Sequence, residues 1–188
     1  SGRTSSITQH YMQNKDNTIT FIDLAGHEKY FNTTVIGMTR LLDYCCLIIG
    51  SNMGVLRMTR EHLITALSLN LSTFVVLTKH DIAPENKYIE TKNEIIKYIK
   101  KKTNGKRQTI EINTNEELEQ LITYSLDLSL NNISNYKNTI PIFTISSKTG
   151  LNIDLLRKYI CQLKQQYDYK IDEGANFIVE QRYNLHGV

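Results

Sequence analysis

Four short apolar runs constrain the fold more than any other feature of the chain. They are TITFIDLA, YCCLIIGS, STFVVLTK and IPIFTIS, at residues 18–25, 44–51, 72–79 and 140–146. Each is rich in β-branched and aromatic residues and each is followed by a longer stretch with helical periodicity, at 27–40, 58–70, 86–102 and 152–167. Apolar strands alternating with amphipathic helices predict an α/β domain with a mostly parallel sheet. Leu63, Ala66, Leu67 and Leu69 predict the buried stripe of one helix, and Ile89, Ile95, Ile96 and Ile99 that of the next. Pro141 is expected at the start of its strand, where a missing N–H is tolerated.

Residues 103–140 fit the alternation less well. RQTIEI is compatible with a strand, NEELEQLITYSL with a helix and the Asn-rich LNNISNYKNT with a loop, so the region reads as an insertion. The tail ANFIVEQRYNLHGV returns to period-2 alternation, as at the start of a second, β-rich domain. The expected division is residues 1–170 for the α/β domain and 175–188 for the beginning of the next.

Composition narrows the function classes. The chain has 188 residues, enough for one ordinary domain, with a formal charge of +3 that is too small to argue for nucleic acid by itself. No apolar run reaches the roughly 20 residues of a membrane helix, and no signal peptide is visible. Cys45, Cys46 and Cys161 have no zinc-type spacing and read as buried structural thiols in a reducing compartment. The abundance of Asn, Ile and Lys suggests an AT-rich genome, that of a parasite or a large DNA virus. The first residue is Ser1, so the chain is expected to be part of a longer polypeptide.

In open α/β sheets, ligands sit beyond the carboxyl ends of the strands. Three strands end in chemically suggestive residues: DLAGH at 23–27, TKHD at 78–81 and SSKTG at 146–150. All three are expected to converge on one edge of the sheet. Asp23 suits a hydrated Mg²⁺, which takes few carboxylates and several waters. Gly26 lets a backbone N–H approach a phosphate. Asp81 can accept from guanine N1–H and the exocyclic amine, a donor pair that adenine lacks. The stem of Lys79 can lie along a purine, and the amides of Ser146, Ser147 and Lys148 can donate to guanine O6. A lone T-K-x-D or D-x-x-G is most often an ordinary loop. The three in this order, each at a strand end, leave that reading little room.

DLAGHEKY, TREH, TKHD and SSK resemble the third, fourth and fifth signature elements of the translational-type GTPases, the family of elongation factor Tu. FIDLAGHEKYFNTTVIGM and GSNMGV…MTREHL are most similar to its GTP-binding protein 1 branch. The resemblance covers almost the whole chain and is weakest over residues 103–140. It implies a P-loop GTPase-type three-layer sandwich, a following β-barrel domain, GTP/GDP and Mg²⁺ as cofactors, and GTP hydrolysis as a molecular switch. Asp23 resembles the Mg²⁺-linked aspartate of switch II, and His27 the histidine that orients the attacking water once an activator docks. SGRTSS resembles the end of switch I, which would make Thr4 a second metal residue. The family further implies a cytoplasmic protein whose partners are a ribosome, RNA or an RNA-processing complex, with neither membrane nor DNA expected.

Two departures stand out. No G-x-x-x-x-G-K-[ST] loop occurs in these residues; the resemblance places it upstream of Ser1, with the family's first strand and helix. Without that central strand, the isolated chain is expected to expose unpaired strand edges and to fold poorly. Thr78 stands where most GTPases carry Asn, which costs one net hydrogen bond, about 0.5–1.5 kcal/mol, and leaves guanine selection to Asp81. The basic run IKKKTNGKR at residues 99–107 reads as a solvated helix end. Two alternatives stay open: a non-hydrolysing, nucleotide-dependent scaffold, and the GTPase part of a sulfate-activating enzyme, which shares D-x-x-G-H.

Overall fold

The computed structural model describes residues 7–14, 17–40, 42–127, 138–166 and 174. The elements run β1 (Thr8–Gln13), β2 (Thr18–Asp23), a 3₁₀ turn (Glu28–Tyr30), α1 (Phe31–Met38), β3 (Tyr44–Gly50) and α2 (Arg57–Ser68). They continue with β4 (Ser72–Thr78), a 3₁₀ turn (His80–Ile82), α3 (Glu85–Lys102), β5 (Gln108–Ile112), α4 (Asn115–Asp127), β6 (Thr139–Thr144) and α5 (Ile153–Gln162).

Strands β3, β4, β6 and β5 form a parallel sheet in that spatial order. Side chains alternate across it and divide the core in two. Leu47, Ile49, Val75, Leu77, Ile140 and Ile142 point to one face, where Leu63 of α2 and Ile95 and Ile99 of α3 cover them. Phe74, Val76, Ile112 and Phe143 point to the other, beneath Leu118 and Leu121 of α4 and Leu155 and Tyr159 of α5. The result is the expected three-layer α/β sandwich. No helix among the described residues is long and apolar enough to cross a membrane.

Several details differ from expectation. Residues 108–127 are not an insertion: β5 is an edge of the parallel sheet, and Ile112, Leu118 and Leu121 are core residues. A capping box starts α4, with Glu117 Oε2 accepting from the Thr114 amide at 3.1 Å and Thr114 Oγ1 accepting from the Glu117 amide at 3.2 Å. Pro141 sits inside β6, not at its start; pairing with β4 begins only at Ile142, so the missing N–H falls before the doubly paired stretch. Leu69 and Ile89 are exposed, because Leu69 follows the last turn of α2 and Ile89 lies off the stripe made by Ile95 and Ile99. The thiols are less buried than expected: Cys45 and Cys161 are half-buried and Cys46 is exposed.

The largest difference lies at the N-terminal side. β2 is no member of the parallel sheet. It pairs with β1, a strand the sequence reading missed, in an antiparallel hairpin with Thr8 opposite Asp23. Its residues are exposed or half-buried, and Phe21 is 39% exposed. Among the described residues β3 pairs with β4 alone, so its outer edge is open and Ile48 is 65% exposed. The segment after β2 ties the hairpin to the sandwich. Leu24 packs on a small cluster of Met38, Ala66 and Leu71, and Thr34 Oγ1 of α1 donates to the Ala25 carbonyl at 2.6 Å. Gly37 makes room at this seam, since a Cβ there would oblige the end of the Leu24 side chain to shift. Thr4 and the tail at 175–188 lie outside the described residues.

Candidate functional site

The parallel register fixes one end of the sandwich. Gly50 at the end of β3 lies beside Thr78 at the end of β4, and Leu77 pairs with Thr144 of β6. All three strands therefore deliver their following loops to the same end. The Thr78 carbonyl accepts from the Ser51 amide at 2.8 Å, and the Leu77 carbonyl accepts from the Ile145 amide at 2.8 Å.

Beyond Thr78 the chain turns sharply. Lys79 adopts the left-handed conformation, with φ 61° and ψ 34°, and opens the 3₁₀ turn that carries Asp81. The His80 amide donates to the Ile145 carbonyl at 3.3 Å, which knits this loop to the one after β6. Across the same seam, the hydroxyl of fully buried Ser146 donates to Asp81 Oδ1 at 2.6 Å. Ser146 is itself fixed: its Oγ accepts from the Thr149 amide at 3.2 Å, and its amide donates to the Leu151 carbonyl at 3.1 Å. Asn152 Nδ2 closes the loop by donating to the Thr144 carbonyl at 2.9 Å. The Ser146 amide is thus occupied inside the loop, which corrects its reading as an amide donor to a base. Among the described residues the amides of Ser147 and Lys148 have no protein acceptor, and both residues are exposed.

This arrangement offers a carboxylate held in one orientation, two outward amides and the stem of Lys79 at one rim. A planar heterocycle with adjacent N–H donors and a carbonyl acceptor matches it. Thr78 is half-buried and anchors the loop through its backbone.

Asp23, Gly26 and His27 reach the same end by another route. Their strand, β2, belongs to the hairpin and not to the parallel sheet that carries Asp81 and Ser146. The link runs through α2. Glu28 pairs with Arg57, the first residue of α2, at 3.2 Å, and the ring of Phe31 stacks on His62 at 5.7 Å. His27 is exposed, and its Nδ1 accepts from the Lys29 amide at 3.1 Å as the cap of the 3₁₀ turn. A Cβ on Gly26 would meet nothing within 4 Å, so the fold of the chain itself does not demand glycine there.

Asp23 is an exposed carboxylate at a strand end, and no cluster of three or more His, Cys, Asp or Glu side chains occurs among the described residues. That donor set cannot cage a metal alone. It fits Mg²⁺, which keeps several waters and takes one or two carboxylates together with substrate phosphates.

Ser51 and Asn52, which follow β3 beside Thr78, have no role expected from the sequence motifs. Ser51 is fully buried, and Ser51 Oγ and Asn52 Oδ1 are buried without a hydrogen-bond partner among the described residues. Two orphaned polar atoms at a strand end carry a cost that a bound group could relieve. The signal available in the sequence was the polar pair itself, placed between a buried strand and Gly54.

The Elongation factor Tu GTP binding domain family matches residues 1–166. GTP-binding protein 1 of Xenopus laevis is 42% identical over 171 residues, covering 90% of this chain and 25% of that protein. The selenocysteine-specific elongation factor of Methanocaldococcus jannaschii is 29% identical over 172 residues, covering 90% of this chain and 30% of that protein. Among solved structures, translation elongation factor SelB from Methanococcus maripaludis in complex with the GTP analogue GPPNHP superposes with a TM-score of 0.59. At 22% identity, covering 84% of this chain and 27% of that one, this likeness is one of fold. The chain spans about a quarter of the length of GTP-binding protein 1.

Proposed function

The chain belongs to the Elongation factor Tu GTP binding domain family, and from that premise we propose that it binds GTP and hydrolyses it to GDP and phosphate as a Mg²⁺-dependent switch. The observation that carries this reading is the Ser146–Asp81 hydrogen bond at 2.6 Å. It holds the Asp81 carboxylate facing outward, where it accepts from N1–H and the exocyclic amine of guanine. Ser147 and Lys148 offer their amides to O6, and Lys79 covers the ring. Ser146 positions Asp81 through its hydroxyl and does not itself contact the base. Asp23 and Thr4 serve the metal, which when bound neutralises charge on the phosphates. Gly26 presents its amide to the γ-phosphate.

His27 orients the attacking water once an activating partner releases its side chain from the Lys29 amide. Until then turnover is slow, because positioning and charge stabilisation are most of the catalytic work in phosphoryl transfer. The output is a change in the segment from Asp23 to α1, read by a ribosomal or RNA-processing partner in the cytoplasm.

A second reading, a nucleotide-dependent scaffold without hydrolysis, is favoured by one observation: His27 Nδ1 already caps the 3₁₀ turn. Fluorescent GTP, GDP and ATP titrated with Mg²⁺, with phosphate release followed in the same samples, tests both. Guanine-selective binding with slow release supports the switch. Guanine-selective binding with no release under any activator supports the scaffold. No guanine selectivity removes both.

A further inference from the structure

The opposite end of the sandwich carries a site of different chemistry. A cleft of about 440 Å³ opens between the C-terminal ends of α2 and α3. Half-buried Ile64 and Leu67 line it together with Asn70, Asn104, Lys102 and Lys106. Its volume falls in the range of small-ligand pockets. It lies at the start of β4, whereas the guanine loops follow its end. Strand rise puts the two sites about 20 Å apart.

The cleft is built before any ligand arrives. Arg107 donates from one guanidinium nitrogen to the Leu71 carbonyl and from another to Asn70 Oδ1, each at 2.9 Å. It thereby clamps the turn after α2 to the turn after α3. Asn70 and Asn104 adopt left-handed backbone, with φ 55° and 51°, and shape those turns.

The charge is one-sided. From Ile95 to Ile110 the chain carries Lys97, Lys100, Lys101, Lys102, Lys106 and Arg107 and no acidic residue. All five lysines are exposed, and none makes an ion pair among the described residues. Helix-end stabilisation explains cations in the last turn of α3 but not Lys106, which lies beyond it. An unneutralised basic rim around a partly apolar floor flanked by asparagine amides matches a polyanion with planar, hydrogen-bonding units. An acidic peptide satisfies the rim alone.

We propose that this cleft docks single-stranded nucleic acid, with Lys102 and Lys106 on the phosphates and a base on the Ile64–Leu67 floor. The proposal is independent of the nucleotide end.

The test is fluorescence anisotropy of the full chain with a labelled oligouridylate of about twelve nucleotides, over a salt series. The double variant Lys102→Gln/Lys106→Gln is expected to bind about tenfold more weakly. Its log–log salt slope should be shallower by about 1.4, since each single-strand phosphate contact contributes about 0.7. Lys164→Gln, an exposed lysine on the segment after α5, should bind as the parent does. An unaltered thermal midpoint in the double variant attributes the loss to the site. Unchanged binding in the double variant, an equal loss in Lys164→Gln, or equally tight binding of a duplex or an oligoglutamate of similar length overturns the proposal.

Discussion

Ser146 Oγ and Asp81 Oδ1 are 2.6 Å apart although 65 residues separate them in the chain. The bond closes the seam between the loops after β4 and β6, and Ser146 has no exposure to solvent. Ser146→Ala removes the hydroxyl that donates to that carboxylate oxygen. A net hydrogen bond is worth about 0.5–1.5 kcal/mol, so GTP and GDP affinity should fall about three- to tenfold while ATP stays excluded. Asp81→Asn should weaken GTP more and improve xanthine nucleotides, whose C2 carbonyl replaces the amine. Competition titrations with GTP, ATP and XTP read both variants; an unaltered base preference in Asp81→Asn refutes the guanine-site assignment.

For His27 two roles must be separated, water positioning and turn capping. His27→Ala should leave GTP affinity within about twofold and lower activated hydrolysis about a hundredfold, within the range expected for a lost catalytic side chain. Asn is a good cap acceptor, so His27→Asn keeps the bond to the Lys29 amide without supplying an imidazole. Single-turnover hydrolysis of the three proteins decides the matter. Recovery of the rate by Asn would show that the histidine acts by holding the turn.

How much of this was legible in the sequence depends on the physics of each element. Strands β3, β4 and β6 and helices α2 to α5 were readable because those strands are near-continuous apolar runs and each helix has one apolar stripe. TKHD and SSK were readable as one site because parallel strands deliver their loops to one end. DLAGH was not placeable by that rule. Ile19 and Ile22 suggest a buried strand, but β2 finds its partner in β1, whose TQHYMQ is too polar to read as a strand. The integration of residues 108–127 was missed for a similar reason: QTIEI is short and half-buried at the sheet edge, and only its pairing with β6 reveals it.

His62 gives the fold a defined response to pH. Its ring stacks on Phe31, its Nε2 is buried without a partner among the described residues, and burial lowers its pKa, with nearby Glu61 opposing. The neutral form is favoured in the native state, so the unfolded chain binds more protons wherever the two states differ. Its contribution is therefore complete above the unfolded value of about 6.5 and is lost as pH falls below it toward the folded pKa. Urea unfolding at a series of pH values should show stability declining as pH falls below about 6.5. His62→Gln should flatten that slope; an identical slope would assign the titration elsewhere.

The open edge of β3 makes the last prediction. Ile48 is 65% exposed, Cys46 beside it is exposed, and β4 is the strand's sheet neighbour among the described residues, which leaves its other side as a sheet edge. An exposed, apolar, flat edge recruits other strands. Residues 1–188 on their own should therefore self-associate through Tyr44–Gly50. A lysine on an edge strand opposes such pairing by placing a charge where a second strand would lie. Ile48→Lys should lower light scattering at fixed concentration and leave the circular dichroism spectrum unchanged. Ile89→Lys is the control, because Ile89 is also an exposed isoleucine but sits on α3. If both substitutions reduce scattering equally, general surface apolarity drives association. If only Ile48→Lys does, the unpaired edge of β3 is the cause, and a strand added along it should stabilise the sandwich.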